Sequence, residues 1–179
     1  MPIIERTGKP GYSIYIGVDP GASGGLAVIL TEAVLRTDRP IDVRVEHRSM
    51  PSTEKDIWEW FQQFINNRSI RGIFAVIEKV QGYIGQRQPG SAMFKFGYNT
   101  GMLHGFLTTA RIPYEEITPQ RWQKALGITP RKKKESRTVW KNRLKLKAQQ
   151  LYPNEKITLA VADALLIATY CMRKQTGTL

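Results

Sequence analysis

Three carboxylates stand in stretches whose other residues are apolar. Asp19 closes the run SIYIGVD (13–19) and is followed by Pro20 and Gly21; Glu78 closes the run IFAVI (73–77); Asp163 sits in the middle of 157–172, which is apolar on every helical face. A carboxylate in a low-dielectric setting is costly unless it is protonated, paired or bound to a cation. If the three converge they repel one another, and a divalent metal is the economical remedy. Oxygen-only donors favour Mg²⁺ or Mn²⁺ over zinc. Two such ions can clamp the attacking and leaving oxygens in phosphodiester hydrolysis. The competing account treats each acid separately: Asp19 as turn chemistry in Asp-Pro-Gly, and the others as caps or partners of single arginines.

The elements that would position these acids follow from periodicity. Residues 13–19 read as a buried strand, Pro20 to Gly25 as a turn, and Leu26–Leu30 as the return strand of a hairpin. Residues 41–50 alternate as a third, half-exposed strand. Thr53 with Asp56 is a capping-box start for a helix whose buried face is Ile57, Trp60, Phe61, Phe64 and Ile65. The continuous apolar run ending at Glu78 predicts a central strand paired in parallel, so that Asp19 and Glu78 share the carboxyl-end rim where ligands gather. A helix is expected over 91–110, with Gly97, Gly101 and Gly105 on one face packed closely on the sheet or on a second subunit. Residues 113–117 read as a short strand, and Thr118-Pro119 opens a further helix. The fold class is therefore α/β, with a mixed sheet flanked by helices. Residues 1–179 read as one domain, with 1–12 a loose lead-in.

Charge is the informative part of the composition. The formal net charge of +12 suits a polyanionic partner. The excess is concentrated: Arg121, Lys124, Arg131, Lys132, Lys133, Lys134, Arg137, Lys141, Arg143, Lys145 and Lys147 are opposed only by Glu135, with Trp122 and Trp140 interleaved. Such a run is either a solvated face or a phosphate-backbone platform, with 127–136 a mobile basic loop; its one-sidedness favours the platform. Gln81, Tyr83 and Arg87 occupy a glycine-rich loop after Glu78 and are further candidates for contact with the polyanion. A single cysteine, Cys171, excludes a disulfide framework and a cysteine zinc site. No run reaches the ~18 apolar residues of a membrane span, and residues 1–10 lack the apolar core of a secretory signal. The expected location is the cytoplasm of a bacterium or phage-infected host, with an organelle as the alternative.

The segments GVDPG (17–21), VIEKV (76–80) and ADALLIATY (162–170), in that order and spacing, resemble the three acidic motifs of the RuvC family of Holliday junction resolvases. The intervening Phe96 to Gly105 glycine helix matches as well. Trp122 before a lysine-rich segment, and Leu151-Tyr152-Pro153 before the last helix, are similar to the phage-type and chloroplast branch. The resemblance spans roughly residues 14–172. It implies an RNase H-like fold with a five-stranded mixed sheet, a homodimer, and Mg²⁺-dependent symmetrical nicking of four-way DNA junctions. It further implies that Asp19, Glu78 and Asp163 are the metal-binding acids.

Two positions depart from the family pattern. Where relatives carry a fourth acid or a histidine a turn before the helix aspartate, this chain has Thr158, Leu159 and Ala160. Three acids then suffice, or Glu155 or a DNA phosphate completes the set, or the site is weakened. Where relatives have a wedging aromatic three residues after the strand glutamate, this chain has Gln81, with Tyr83 the nearest substitute. The competing functions are a branched-DNA-binding module without catalysis and an RNA–DNA hybrid nuclease.

Overall fold

The computed structural model describes residues 11–33, 43–65, 70–79 and 90–179. In chain order the elements are β1 (Gly11–Asp19), β2 (Gly25–Ala33), β3 (Val43–Ser49), α1 (Glu54–Ile65), β4 (Ile70–Glu78), α2 (Gly90–Thr109), β5 (Tyr114–Ile117), α3 (Pro119–Ala125), α4 (Arg137–Leu151) and α5 (Leu159–Thr176). The strands form one sheet in the order β3-β2-β1-β4-β5. β1, β2 and β3 are antiparallel neighbours, and β4 lies parallel to both β1 and β5. This is the mixed sheet expected from the hairpin and the strand–helix–strand return, with the five strands that the family resemblance implies. β1 starts earlier than the sequence suggested, because Gly11 and Tyr12 already pair with Ala33 and Glu32.

The alternation of the strands sorts side chains into two cores. Ile14, Ile16, Val18, Leu26, Val28, Ala75 and Ile77 point to the side covered by α1 and α2, where they meet Ile57, Phe61, Leu103 and Leu107. Tyr15, Ala27, Ile29 and Val76 point to the opposite side, onto Trp122, Trp140, Leu144 and α5. By the same period of two, Asp19 falls on the face of Tyr15, and Glu78 on that of Val76. Both acids therefore face α5. α1 begins as its sequence dictates: Thr53 Oγ1 accepts from the Asp56 backbone N–H (3.1 Å) and donates to Asp56 Oδ2 (2.7 Å).

α5 is packed from both sides, by the sheet and by α3 and α4, and every residue from Val161 to Cys171 is buried. It reaches the sheet through bare backbone. A Cβ at Gly17 would lie 2.1 Å from the Ala164 carbonyl oxygen and 2.3 Å from the Ala168 nitrogen; one at Gly25 would lie 2.8 Å from the Ala160 carbonyl oxygen. Burial also pushes the Cys171 thiol up to about 12, so this cysteine is an inert core residue.

The glycine face of α2 differs from expectation. α2 meets the sheet through Leu103 and Leu107, whereas a Cβ at Gly97, Gly101 or Gly105 would meet nothing within 4 Å among the described residues. The sheet-packing reading fails because the leucines, one helical face away, hold the helix off on their own side. The basic loop, 127–136, is tied together by hydrogen bonds of its own. Its carboxylate, Glu135, takes both oxygens to Arg143 (2.9 and 2.8 Å) and accepts from the Lys132 backbone N–H (3.1 Å). Arg131 Nε donates to the Glu135 carbonyl (2.9 Å) and Arg143 to that of Thr129 (2.9 Å). The loop is a folded clamp with its basic side chains outward. The loop carrying Gln81, Tyr83 and Arg87 lies outside the described residues.

Two glycine substitutions separate these roles. Gly17→Ala is expected to destabilise the chain by more than about 3 kcal/mol or to abolish soluble folding, because the atoms it meets are backbone. Gly97→Ala, on the open helix face, is expected to stabilise by about 0.5–1 kcal/mol. Denaturant unfolding of both variants checks the contrast; a tolerated Gly17→Ala would show that α5 does not lie against β1.

Candidate active site

The three acids come from different parts of the chain and meet at one end of the sheet. Val18 pairs with Ile77 in the parallel register of β1 and β4, so the next residues on, Asp19 and Glu78, leave the two strands side by side at their carboxyl ends. Asp163 arrives from α5, one residue before the Ala164 that touches Gly17. The charge of Asp163 acts on Asp19, and the charges of Asp19 and Asp163 act on Glu78. The structure thus brings these three sequence-selected acids together.

Each has a distinct set of partners. Asp19 keeps a turn function: its Oδ1 accepts weakly from the Gly21 backbone N–H (3.4 Å), and the Gly24 backbone folds over it closely enough that a Cβ there would lie 2.7 Å from the Asp19 Cγ. The turn account and the shared-site account of Asp-Pro-Gly are therefore compatible. Glu78 Oε2 accepts from Trp122 Nε1 (2.9 Å). Asp163, with its side chain 7% exposed, pairs through Oδ2 with the ammonium of Lys141, while its Oδ1 is buried and has no partner among the described residues. Arg137, at the start of α4, also acts on Asp19.

Burial and mutual repulsion dominate the electrostatics. Burial first, then the charge of Asp163, raises Asp19 from 3.8 to about 6, against the opposing pull of Lys141, the Gly21 N–H and Arg137. Burial first, then Asp19, raises Glu78 from 4.5 to about 7, with the Trp122 hydrogen bond opposing. Lys141 is held above the ordinary lysine range: burial opposes its charge, but Asp163 and the other two acids outweigh burial.

The donor chemistry fits a hard divalent cation. The acids supply only oxygens, they are held together against their repulsion, and one buried oxygen of Asp163 has no hydrogen-bond donor among the described residues. Among the described residues, no three His, Cys, Asp or Glu side chains close around a point by themselves; the ammonium of Lys141 stands at the one acid that is almost fully buried. Glu155 is turned to His47 (3.5 Å) and is not part of the cluster. Thr158 is the N-cap residue of α5, and Leu159 is partly exposed.

Two site residues escaped the sequence reading in this role. Trp122 is fully buried and Trp140 nearly so, because both belong to the core on the α5 side and do not lie among the outward basic side chains. Lys141 belongs to the acids; Arg121, Lys124, Arg131, Lys132, Lys133, Lys134 and Arg137 are exposed. The buried stripe Trp140–Leu144–Ala148 of α4 was the available signal, since it places Lys141 at the margin of the packed face.

The raised carboxyls set a pH dependence for the metal-free protein. Between about pH 4 and 7 the unfolded chain has released protons that folded Asp19 and Glu78 still hold, so stability falls as pH rises through this window and levels off above it. Asp19→Asn removes the charge that burial opposes. In chelator at pH 8 it is expected to be more stable than the parent by about 2 kcal/mol, with the advantage shrinking towards pH 4. Denaturant titrations at the two pH values measure this; an equal difference at both would show that Asp19 is not strained by its neighbours.

No family model matches the chain, and no curated protein matches it. Solved structures similar to it include two of one bacterial protein. One is the Thermus thermophilus RuvC structure, 17% identical, with a TM-score of 0.56 over 92% of this chain and 97% of that one. The other is T. thermophilus RuvC in complex with Holliday junction substrate, 16% identical, with a TM-score of 0.54 and the same coverage. At this identity the likeness shows the fold: the chain has a RuvC-like, RNase H-like architecture along nearly its whole length.

Proposed function

We propose that this protein is a structure-selective endonuclease that resolves four-way DNA junctions by metal-dependent phosphodiester hydrolysis. The observation that carries the reading is the convergence of Asp19, Glu78 and Asp163 at the carboxyl ends of β1 and β4 in this fold. The junction bound to T. thermophilus RuvC supports the choice of substrate. Trp122 ahead of the lysine-rich segment and Leu151-Tyr152-Pro153 ahead of α5 support assignment to the phage-type and chloroplast-like branch. Paired nicks at symmetric positions call for two copies, and the open glycine face of α2 is consistent with a homodimer.

In this reading Asp19, Glu78 and Asp163 hold Mg²⁺, for which Mn²⁺ substitutes. When bound, the ion supplies Lewis-acid activation of water and of the scissile phosphate. Trp122 keeps one oxygen of Glu78 fixed, which leaves the other for the metal. Arg121, Lys124, Arg131, Lys132, Lys133, Lys134 and Arg137 seat the junction arms through their phosphates and carry no base specificity. Gln81, Tyr83 and Arg87 complete the contact beside Glu78. A second reading, branched-DNA binding without chemistry, is favoured by one observation: Leu159 and Ala160 at the start of α5 bring no further ligand to the acids.

A labelled synthetic junction with Mg²⁺ or Mn²⁺ decides between them. The unaltered protein is expected to make paired nicks, and Asp19→Asn to lose about a thousandfold in cleavage, about 4 kcal/mol of barrier, while junction affinity changes little. Absence of cleavage by the unaltered protein would support the binding-only reading, and full activity in Asp19→Asn would overturn the site assignment. Linear duplex and an RNA–DNA hybrid in the same assay test selectivity.

The clamp in the basic loop predicts a result opposite to simple charge counting. Glu135→Ala removes the acid that opposes the basic run, yet it also frees Arg143 and the Lys132 backbone from their shared anchor. Junction affinity is expected to fall roughly fivefold, with faster amide exchange across 129–136, because ordering the loop then costs entropy at binding. Tighter binding in this variant would show that Glu135 acts only through its charge.

A further inference from the structure

Lys141 differs from the other basic residues of its segment. It projects from α4 into the acidic cluster, where its charge acts on Asp163 first and on Asp19 and Glu78 as well. An ammonium is a compact point charge, closer in shape to a metal ion than the planar guanidinium of arginine. We propose that Lys141 is a built-in cation of the site, holding the place that a second divalent ion would need, so that the three carboxylates take up one Mg²⁺ or Mn²⁺ per chain. The inference rests on the metal-dependent reading given above and specifies its stoichiometry.

Three observations carry it. The ammonium engages Asp163 Oδ2, whereas Oδ1 of the same carboxylate is buried and has no partner among the described residues, so the lysine occupies one of its two oxygens. The charge of the ammonium also reaches all three acids, Asp163 first and then Asp19 and Glu78. The charges also match. Three ionised carboxylates and one ammonium leave two net negative charges, which one divalent ion balances. A second ion would leave two net positive charges in a partly buried cluster, where like charges repel more strongly than in bulk water.

The test counts ions. The full chain, freed of metal, is titrated with Mn²⁺ and followed by calorimetry and by the loss of the free-ion electron paramagnetic resonance signal. The expected result is one Mn²⁺ per chain for the unaltered protein and for Lys141→Arg, and two for Lys141→Met. Two ions in the unaltered protein, or an unchanged single ion in Lys141→Met, would overturn the proposal. If Lys141→Met does not fold, the counts for the unaltered protein and Lys141→Arg decide it. Asp19→Asn separates the two levels of the argument. Two ions in the unaltered protein that are lost in Asp19→Asn overturn only the role of Lys141. No ion bound, or binding indifferent to Asp19→Asn, overturns the metal-dependent reading along with it.

Discussion

The contact on which the rest of the molecule depends is that of α5 with the naked backbone of β1 and β2. Gly17 and Gly25 remove side chains from the sheet exactly where Ala160, Ala164 and Ala168 present the small face of the helix at four-residue spacing. The helix therefore lies nearer the sheet than larger side chains would allow, since spacing follows what stands at the contact. Asp163 precedes one of those alanines, and Asp19 lies two residues beyond Gly17 on the same strand face. The packing that closes the core thus also fixes the separation of two acids. Core and site are one constraint.

That closeness has an electrostatic cost, and the molecule offsets it locally. Three carboxylates in a buried rim would repel and would lack solvation. Lys141 neutralises the most deeply buried of them, Trp122 gives a hydrogen bond to Glu78, and the Asp-Pro-Gly turn gives one to Asp19. None of these partners comes from the strands themselves. α4 is additionally tied to α5 where Tyr152 and Thr169 share a hydrogen bond of 2.9 Å. With this bond and the Lys141–Asp163 pair, α4 is held at two points along α5, which keeps the lysine in register with the acid.

What could be read from the sequence follows from how each signal is encoded. The hairpin, the central strand and the capping box are local, and period-two or period-3.6 patterns gave their type and nearly their bounds. The gathering of Asp19, Glu78 and Asp163 was legible for a different reason: an acid in apolar sequence is expensive enough to demand a partner. Of the two partners offered for the glycine face of α2, the sheet fails because spacing tells which residues share a face and not what lies opposite. Trp122 and Lys141 were hidden because each looked like its neighbours, an aromatic among cations and a cation among cations. Only the buried stripe of α4, which needs the helix bounds, distinguishes Lys141 from Lys145 or Lys147.

The basic segment also divides into parts that composition merges. Its outward residues are displayed by a loop that Glu135 and Arg143 fold, and Arg143 in turn lies over the Trp140 ring at 4.9 Å. Trp140 belongs to the core packed against α5. The clamp is therefore anchored through one tryptophan to the same helix that carries Asp163, and the residue after that tryptophan is Lys141. A surface that looks like undifferentiated positive charge is held by the core at a point adjacent to the acids. Exposed cations on a free loop would be indifferent to the packing of α5; here the loop's anchor, the neutralising lysine and the buried aspartate are successive links between α4 and α5, so displacing α4 would disturb the platform and the acidic site together.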